Sequence, residues 1–296
     1  MGAYEFSCPS ITRFYVDAAV AGGTGDGSSW ANAYPTLAAA LAGASTGCPG
    51  VTEIWVARGT YTPTSGPDRT ASFTLRNNLA IYGGFTNGQT DISQRDPNPD
   101  TNSTVLSGNI GNANSSADNS YHVVTSSGTD NSAILDGFSI SAGQSNAYGG
   151  GMYNVGSQPT LTNLHFKQNF AQAYGGGLYN SNSNPVLTNV SFSSNSASGN
   201  GGGMANDNSS PRLTRGTFTS NSATHGGGLD NTLNSNPVLI NVSFIGNSAT
   251  SHGGGISNAS SNPTLTNVIF SGNSANQGGG ILNTNSSPTL TNVTFS

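Results

Sequence analysis

Charge is what this sequence has least of. Only 7% of its 296 residues are Asp, Glu, Lys or Arg, where a soluble domain usually carries about 25%, and Lys167 is the single lysine. That scarcity excludes nucleic-acid binding, because phosphate contacts need clustered Lys and Arg. It also excludes electrostatic docking on anionic lipid. Long apolar runs are missing too, and no stretch approaches the ~18 residues of a membrane span, so the chain is not expected to cross a membrane. Cysteine is confined to Cys8 and Cys48. Their pairing would pin the N-terminal arm to the loop "STGCPG" and fits an oxidising compartment; two free buried thiols are the alternative. "MGAYEFSCPS" has no basic start and no apolar centre, so it is not a signal peptide. Either a leader has been removed ahead of Met1 or secretion takes another route.

What is abundant is Gly, Ser, Asn and Thr, a mixture that in disordered chains has no apolar rhythm. Here the rhythm is strict. Phenylalanines fall at Phe166, Phe192, Phe218, Phe244, Phe270 and Phe295, with spacings of 26, 26, 26, 26 and 25. Pro159, Pro185, Pro211, Pro237, Pro263 and Pro288 keep the same step, as do Leu161, Leu187, Leu213, Leu239, Leu265 and Leu290. Leu135, Phe138 and Ile140 in "AILDGFSI" sit 26 residues before Leu161, Leu164 and Phe166, so one earlier turn joins the register. Internal repetition of this length signals a solenoid or a propeller.

Within one period, "PVLTN" and "VSFSS" alternate apolar and polar residues, and Gly, Asn, Ser and Pro interrupt the runs. Period-two alternation in short runs means strands with one buried face, and no segment of the period has helical spacing. Three short strands per period make one coil of an all-β, right-handed parallel β-helix (solenoid) with about 26 residues per coil and an N-terminal capping helix. The lack of charge then has a cause. Each residue stacks on its own kind about 4.8 Å away, where a charge would repel its copy. Neutral Asn stacks without that cost, and Asn169, Asn195, Asn221, Asn247 and Asn273 are placed to bond their own turn and the amides above and below. The Gly triplets supply positive φ or close backbone approach at a tight corner.

The tandem motifs "GGGM", "GGGL" and "GGGI", together with "FKQN", "FSSN", "FTSN", "FIGN" and "FSGN", resemble the GGxI/FxxN repeats of chlamydial polymorphic outer membrane proteins. The resemblance covers residues 149–296 and implies a secreted or surface-displayed passenger, often an adhesin. The chain departs from the autotransporters of that family in showing no barrel pattern of alternating ~10-residue strands.

Residues 149–296 thus form six regular coils, and residues 1–148 an N-terminal cap with irregular coils of the same continuous solenoid. In that first half "RFYVDAA", "EIWVARGTY", "SFTL", "LAIYGGF", "TVLSG" and "YHVVT" read as strands. "YPTLAAALAGA" is the convincing helix, with Pro35 in its first turn and Leu37, Ala38 and Leu41 as its apolar stripe. It is placed to lid the first coil, because an open solenoid end exposes backbone and core. "TNGQTDISQRDPNPDTNST" is a long polar excursion from the rod, and such loops often carry function.

Candidate sites follow from the columns. Polysaccharide-cleaving β-helices need clustered carboxylates, yet the charged residues of 149–296 are Lys167, Asp207, Arg212, Arg215 and Asp230, with no acid pairing another at an equivalent position. Asp91, Arg95, Asp96 and Asp100 in the excursion read as a solvated loop. No catalytic residue is assigned and no cofactor is implied. His225 and His252 should stack one coil apart in the column Tyr148, Tyr174, Asn200, His225, His252, Gln277, but no carboxylate or thiolate in that column completes a zinc set. They read as a surface ladder. Tyr148 and Tyr174, with Tyr153 and Tyr179 across the triplets, are expected to form an exposed aromatic patch suited to a sugar or a protein. Paired threonine columns, Thr162, Thr188, Thr214, Thr266 and Thr291 beside Thr160, Thr264 and Thr289, resemble ice-binding faces, but Ile240, Arg212 and Val186 interrupt them.

The sequence therefore points to a non-catalytic, extracellular or cell-surface adhesin or scaffold, with a host protein or glycan as partner. The alternatives are a carbohydrate-binding or polysaccharide-degrading β-helix and, last, an ice-binding solenoid. Ile281, Leu290, Val293 and Phe295 in the final coil suggest a chain that continues in nature or a contact for end-to-end self-association.

Overall fold

The computed structural model describes residues 11–48 and 50–296. Its strands stack in parallel into a solenoid of about nine turns with ~26 residues per coil. Three sheets run along the rod: a long face of 12 strands, a middle face of 8 and a short face of 5. One coil supplies each face in turn, as Leu178–Ser181 (middle), Val186–Ser193 (long) and Ser196–Ala197 (short). The three strands per coil are as expected, but their division is not. "PVLTN" and "VSFSS" merge into the single strand Val186–Ser193, because Asn189 between them adopts φ 57 and bends the strand without ending it. Asn takes that left-handed conformation more readily than most residues.

Like stacks on like throughout the long face. Leu161 pairs with Leu187, Leu213, Leu239, Leu265 and Leu290 in succession, and the phenylalanines follow the same ladder. Successive Phe rings lie 4.6–5.0 Å apart with planes within 6–9°. Those from Phe166 to Phe270 are fully buried, each stabilising the rod by roughly 1.5–3 kcal/mol on transfer grounds. The regular register already begins with Ala133–Ser141, whose Leu135, Phe138 and Ile140 pair with Leu161, Leu164 and Phe166.

Asn and Ser ladders satisfy the polar interior. Asn195 donates both its backbone N–H and its side-chain Nδ2 to Asn221 Oδ1, each at 3.0 Å, and its Nδ2 also reaches Phe166 O at 2.9 Å. A second ladder, buried from Asn154 to Asn258, runs Asn154, Asn180, Asn206, Asn231, Asn258, Asn283 through Nδ2–Oδ1 bonds of 2.8–3.0 Å. The Gly triplets divide their duties. The first glycine of each has positive φ, as at Gly201 (φ 65), while a Cβ on Gly202 would lie 2.4 Å from Ser222 O.

The helix Leu37–Ala42 packs at the first coil, with Leu37 and Ala40 buried and Ala38 and Leu41 partly so. Thr36 is its N-cap, extended and accepting from Ala39 N at 3.2 Å. Pro35 thus precedes the cap instead of occupying the first turn. Cys48 is buried and not a free thiol; Cys8, its expected partner, lies outside the described residues. At the other end Leu290 and Phe295 are 45% and 55% exposed. A second small core, Trp30, Trp55, Ala57 and Phe85, forms outside the solenoid on the first turns of the long face. Trp30 ties the excursion to it through Nε1 and Gln89 O at 2.7 Å. Among the described residues no helix is long and apolar enough to cross a membrane.

Candidate ligand-binding face

The expected tyrosines and histidines meet on one face. Bridges link Tyr148 to Tyr174, Tyr174 to Asn200, and Asn200 to His225, while His225 pairs with His252 and His252 with Gln277. The neighbouring column on the middle face runs Tyr153, Tyr179, Ala205, Asp230, Ser257, Leu282. Parallel stacking in register is sufficient to bring these side chains together, at one coil per strand spacing.

Tyr148 stacks on Tyr179 at 4.9 Å and 19°, and Tyr153 stacks on Tyr179 at 5.8 Å and 9°. Tyr148 and Tyr174 lie 5.5 Å apart, and His122 adds a stacked ring 4.9 Å from Tyr153. The patch is less open than expected. Tyr148 and Tyr174 are each 37% exposed, but Tyr179 is only 5% exposed. Its ring is covered by its neighbours and its hydroxyl donates to Asp207 Oδ2 at 3.1 Å. Burial and the adjacent Asp207 carboxylate raise the Tyr179 phenol well above its ordinary value, so it remains a donor.

Next to this platform is a cleft of about 230 Å³ lined by Tyr174, Tyr179, Ala205, Asp207, Asp230 and Leu233, among others. Departures from the repeat create it. Ala205 stands where the two coils below carry Tyr, which leaves space above Tyr179. One residue is lost before Gly226 and one is gained at Leu233, which adopts φ 54 and projects at 61% exposure as a wall. Asp207 and Asp230 are not equivalent positions of their coils, as expected, yet the cleft brings both acids together: a one-coil, two-residue offset on the middle face places both in this space.

Asp230 is 3% exposed and accepts from Asn200 Nδ2 at 3.1 Å. Burial pushes its carboxyl up to about 6, against the hydrogen bonds from Ser257 and Asn200 that favour the ionised form. Asn200 also contacts His225, Oδ1 to Nδ1 at 3.1 Å, so one amide bridges the histidine column and the acid. His225 and His252 stack at 4.9 Å, and burial together with the neighbouring ring lowers the His225 pKa. Among the described residues no three His, Cys, Asp or Glu side chains converge as a metal site.

The acidic residues of the excursion do not cluster. Asp91 caps the turn Ile92–Gln94, Asp96 accepts from Thr101 Oγ1 at 2.7 Å, and Arg95 turns inward to Asp136 at 2.6 Å. Asp100 Oδ1 contacts His165 Nδ1 at 2.5 Å, and His165 Nε2 contacts Ser193 Oγ at 2.6 Å. That order resembles a Ser–His–Asp relay. The backbone N–H of Ser194 is bonded to Thr219 O. The three residues clamp the excursion to the long face.

Residues 241–259 and 267–284 match the model of the Chlamydia polymorphic membrane protein repeat. These two segments are similar to that repeat. The match covers the FxxN strand and the Gly triplet in two successive turns, and the register of the long face continues unbroken through the other regular coils. No curated protein and no solved structure matches the chain.

Neither Asp230 nor Leu233 stands out when the sequence is read for residue types alone. The usable signal was the phase slip, a spacing of 25 between Gly201 and Gly226 followed by 27 between Gly226 and Gly253.

Proposed function

We propose that this rod is a cell-surface or secreted adhesin that grips a neutral glycan with its tyrosine–acid face and does no chemistry on it. The observation that carries the reading is the pair of half-exposed rings, Tyr148 and Tyr174, of which Tyr174 lines the cleft that holds Asp207 and Asp230 and Tyr148 lies beside it one coil below. Aromatic rings stack on the apolar faces of sugars, while buried polar groups fix the hydroxyls. Polymorphic membrane protein repeats and the β-helix architecture support surface display. The purified protein on a glycan array is the test. Retention of a defined group of neutral oligosaccharides supports the proposal, and an array without a hit overturns it.

A second reading has one observation in its favour. Two carboxyl groups share a cleft and one is held near pKa 6, the environment of a general acid. On that reading Asp230 protonates a glycosidic oxygen and Asp207 acts opposite it. Release of reducing ends from array-positive glycans, abolished in Asp230→Asn, would establish hydrolysis; the adhesin reading expects no release.

A further inference from the structure

A larger cleft lies elsewhere, under the excursion. It encloses about 330 Å³ between Asn98–Asp100 and the outer side of the long face. Its floor coincides with the sharpest break in the repeat. Every other regular coil has Asn followed by Leu or Val at this point, as in Asn163–Leu164, Asn189–Val190, Asn241–Val242, Asn267–Val268 and Asn292–Val293. The coil 211–236 has Arg215–Gly216 instead.

Arg215 occupies that position at φ 57, a conformation Asn tolerates better than Arg. It also interrupts an outward amide ladder, which runs from Asn189 to Asn163 at 2.7 Å below and from Asn267 to Asn241 at 2.9 Å above. Local stability therefore favours Asn here. The guanidinium has no hydrogen-bond or ion-pair partner among the described residues, so no internal contact repays the substitution. A cation placed in a cleft without an internal partner is available to an external one.

The roof is fixed before any ligand arrives. Arg95 pairs with Asp136 at 2.6 Å with both side chains largely buried, and donates to Gly83 O at 3.0 Å. Asn102 Nδ2 reaches Gly137 O at 3.0 Å, Ser139 Oγ reaches Pro99 O at 3.2 Å, and the Asp100–His165 contact closes the far end. Binding into such a preformed site avoids the cost of ordering a loop. Around the one guanidinium the lining is mainly amides and hydroxyls, including Asn98, Asn241, Ser191, Thr217 and Ser243, with no aromatic ring; its one carboxylate, Asp100, is engaged by His165.

We infer that this cleft is a second binding site, for a carboxylated sugar unit of an acidic glycan. Arg215 grips the carboxylate in a two-pronged hydrogen bond, and the surrounding amides and hydroxyls read the ring hydroxyls. The site is separate from the tyrosine face and does not depend on it.

Hyaluronan oligosaccharides, whose glucuronate units carry the carboxylate, are the probe, titrated against the full chain by calorimetry. Arg215→Asn restores the residue of the neighbouring coils, so the fold is retained. The wild type binds, Arg215→Asn binds at least tenfold more weakly, and carboxyl-reduced oligosaccharide is not bound. Tyr148→Ala/Tyr174→Ala leaves this affinity unchanged, which separates the site from the adhesin face. Absence of hyaluronan binding by the wild type, equal affinity in Arg215→Asn, or equal affinity for the carboxyl-reduced probe overturns the assignment.

Discussion

Asn221 accepts the backbone and side-chain N–H groups of Asn195 on one oxygen, and its own Nδ2 donates to Phe192 O and to Asn247 Oδ1 at 3.0 and 2.9 Å. Asn221 is fully buried. Asn221→Ala leaves the Asn195 N–H groups and the Phe192 carbonyl without partners, each such loss costing about 1–3 kcal/mol. The expected result is a destabilisation of at least about 2 kcal/mol in the denaturant midpoint. A shift below about 0.5 kcal/mol, the size of an ordinary surface change, would contradict the ladder's structural role.

Gly202 allows a close approach between coils. A Cβ there would meet Ser222 O at 2.4 Å and Gly227 O at 2.6 Å, both backbone atoms that cannot move aside singly. Gly202→Ala is expected to lower the melting temperature sharply or to prevent soluble expression. Gly156→Ala, where φ is 57 but nothing lies within 4 Å, should cost only the left-handed strain. Equal effects from the two variants would remove packing as the reason for the triplets.

Periodicity made the solenoid legible, because one alternating pattern repeated at constant step admits few other folds. The Phe, Leu and Pro columns, the Asn turn ladder and the stacked Tyr and His columns all followed from it. The single bent strand at Asn189 did not, since alternation on both sides of a left-handed residue reads the same as two strands. The second Asn ladder from Asn154 to Asn283 was equally hidden, because Asn on a strand carries no sign of which way it points. The two clefts needed the opposite kind of reading. Ala205, Arg215, Gly216 and Leu233 matter as exceptions to the repeat, and the phase slip around Gly226 was visible in the spacings without revealing what it shaped.

Asp230 gives the rod a pH dependence of known sign. Its folded pKa of about 6 lies above the ordinary value of 3.8, so the native state holds a proton that the unfolded chain releases. Its contribution is complete below pH ~4 and is lost as the pH rises through about 6, a change on the order of 2–3 kcal/mol. Denaturant midpoints of the wild type should fall across that window relative to Asp230→Asn. Parallel curves for the two proteins would refute a buried, proton-holding Asp230.

Ala205 keeps the cleft beside Tyr179 open. Ala205→Tyr continues the column of Tyr153 and Tyr179 with a residue that position already accepts two coils running. The variant is expected to stay folded and to lose glycan affinity several-fold as the new ring fills the space between Tyr179 and Asp230. Undiminished binding in titrations would place the ligand elsewhere on the rod.

The adhesin account stands most directly on the two half-exposed rings. The strongest array-positive glycan should be titrated against wild type and Tyr148→Ala/Tyr174→Ala, with melting curves confirming that both are folded. The account predicts that the double variant melts as the wild type does and binds at least tenfold more weakly, in line with about 1–2 kcal/mol or more per aromatic anchor. Equal affinity in the two folded proteins would contradict it.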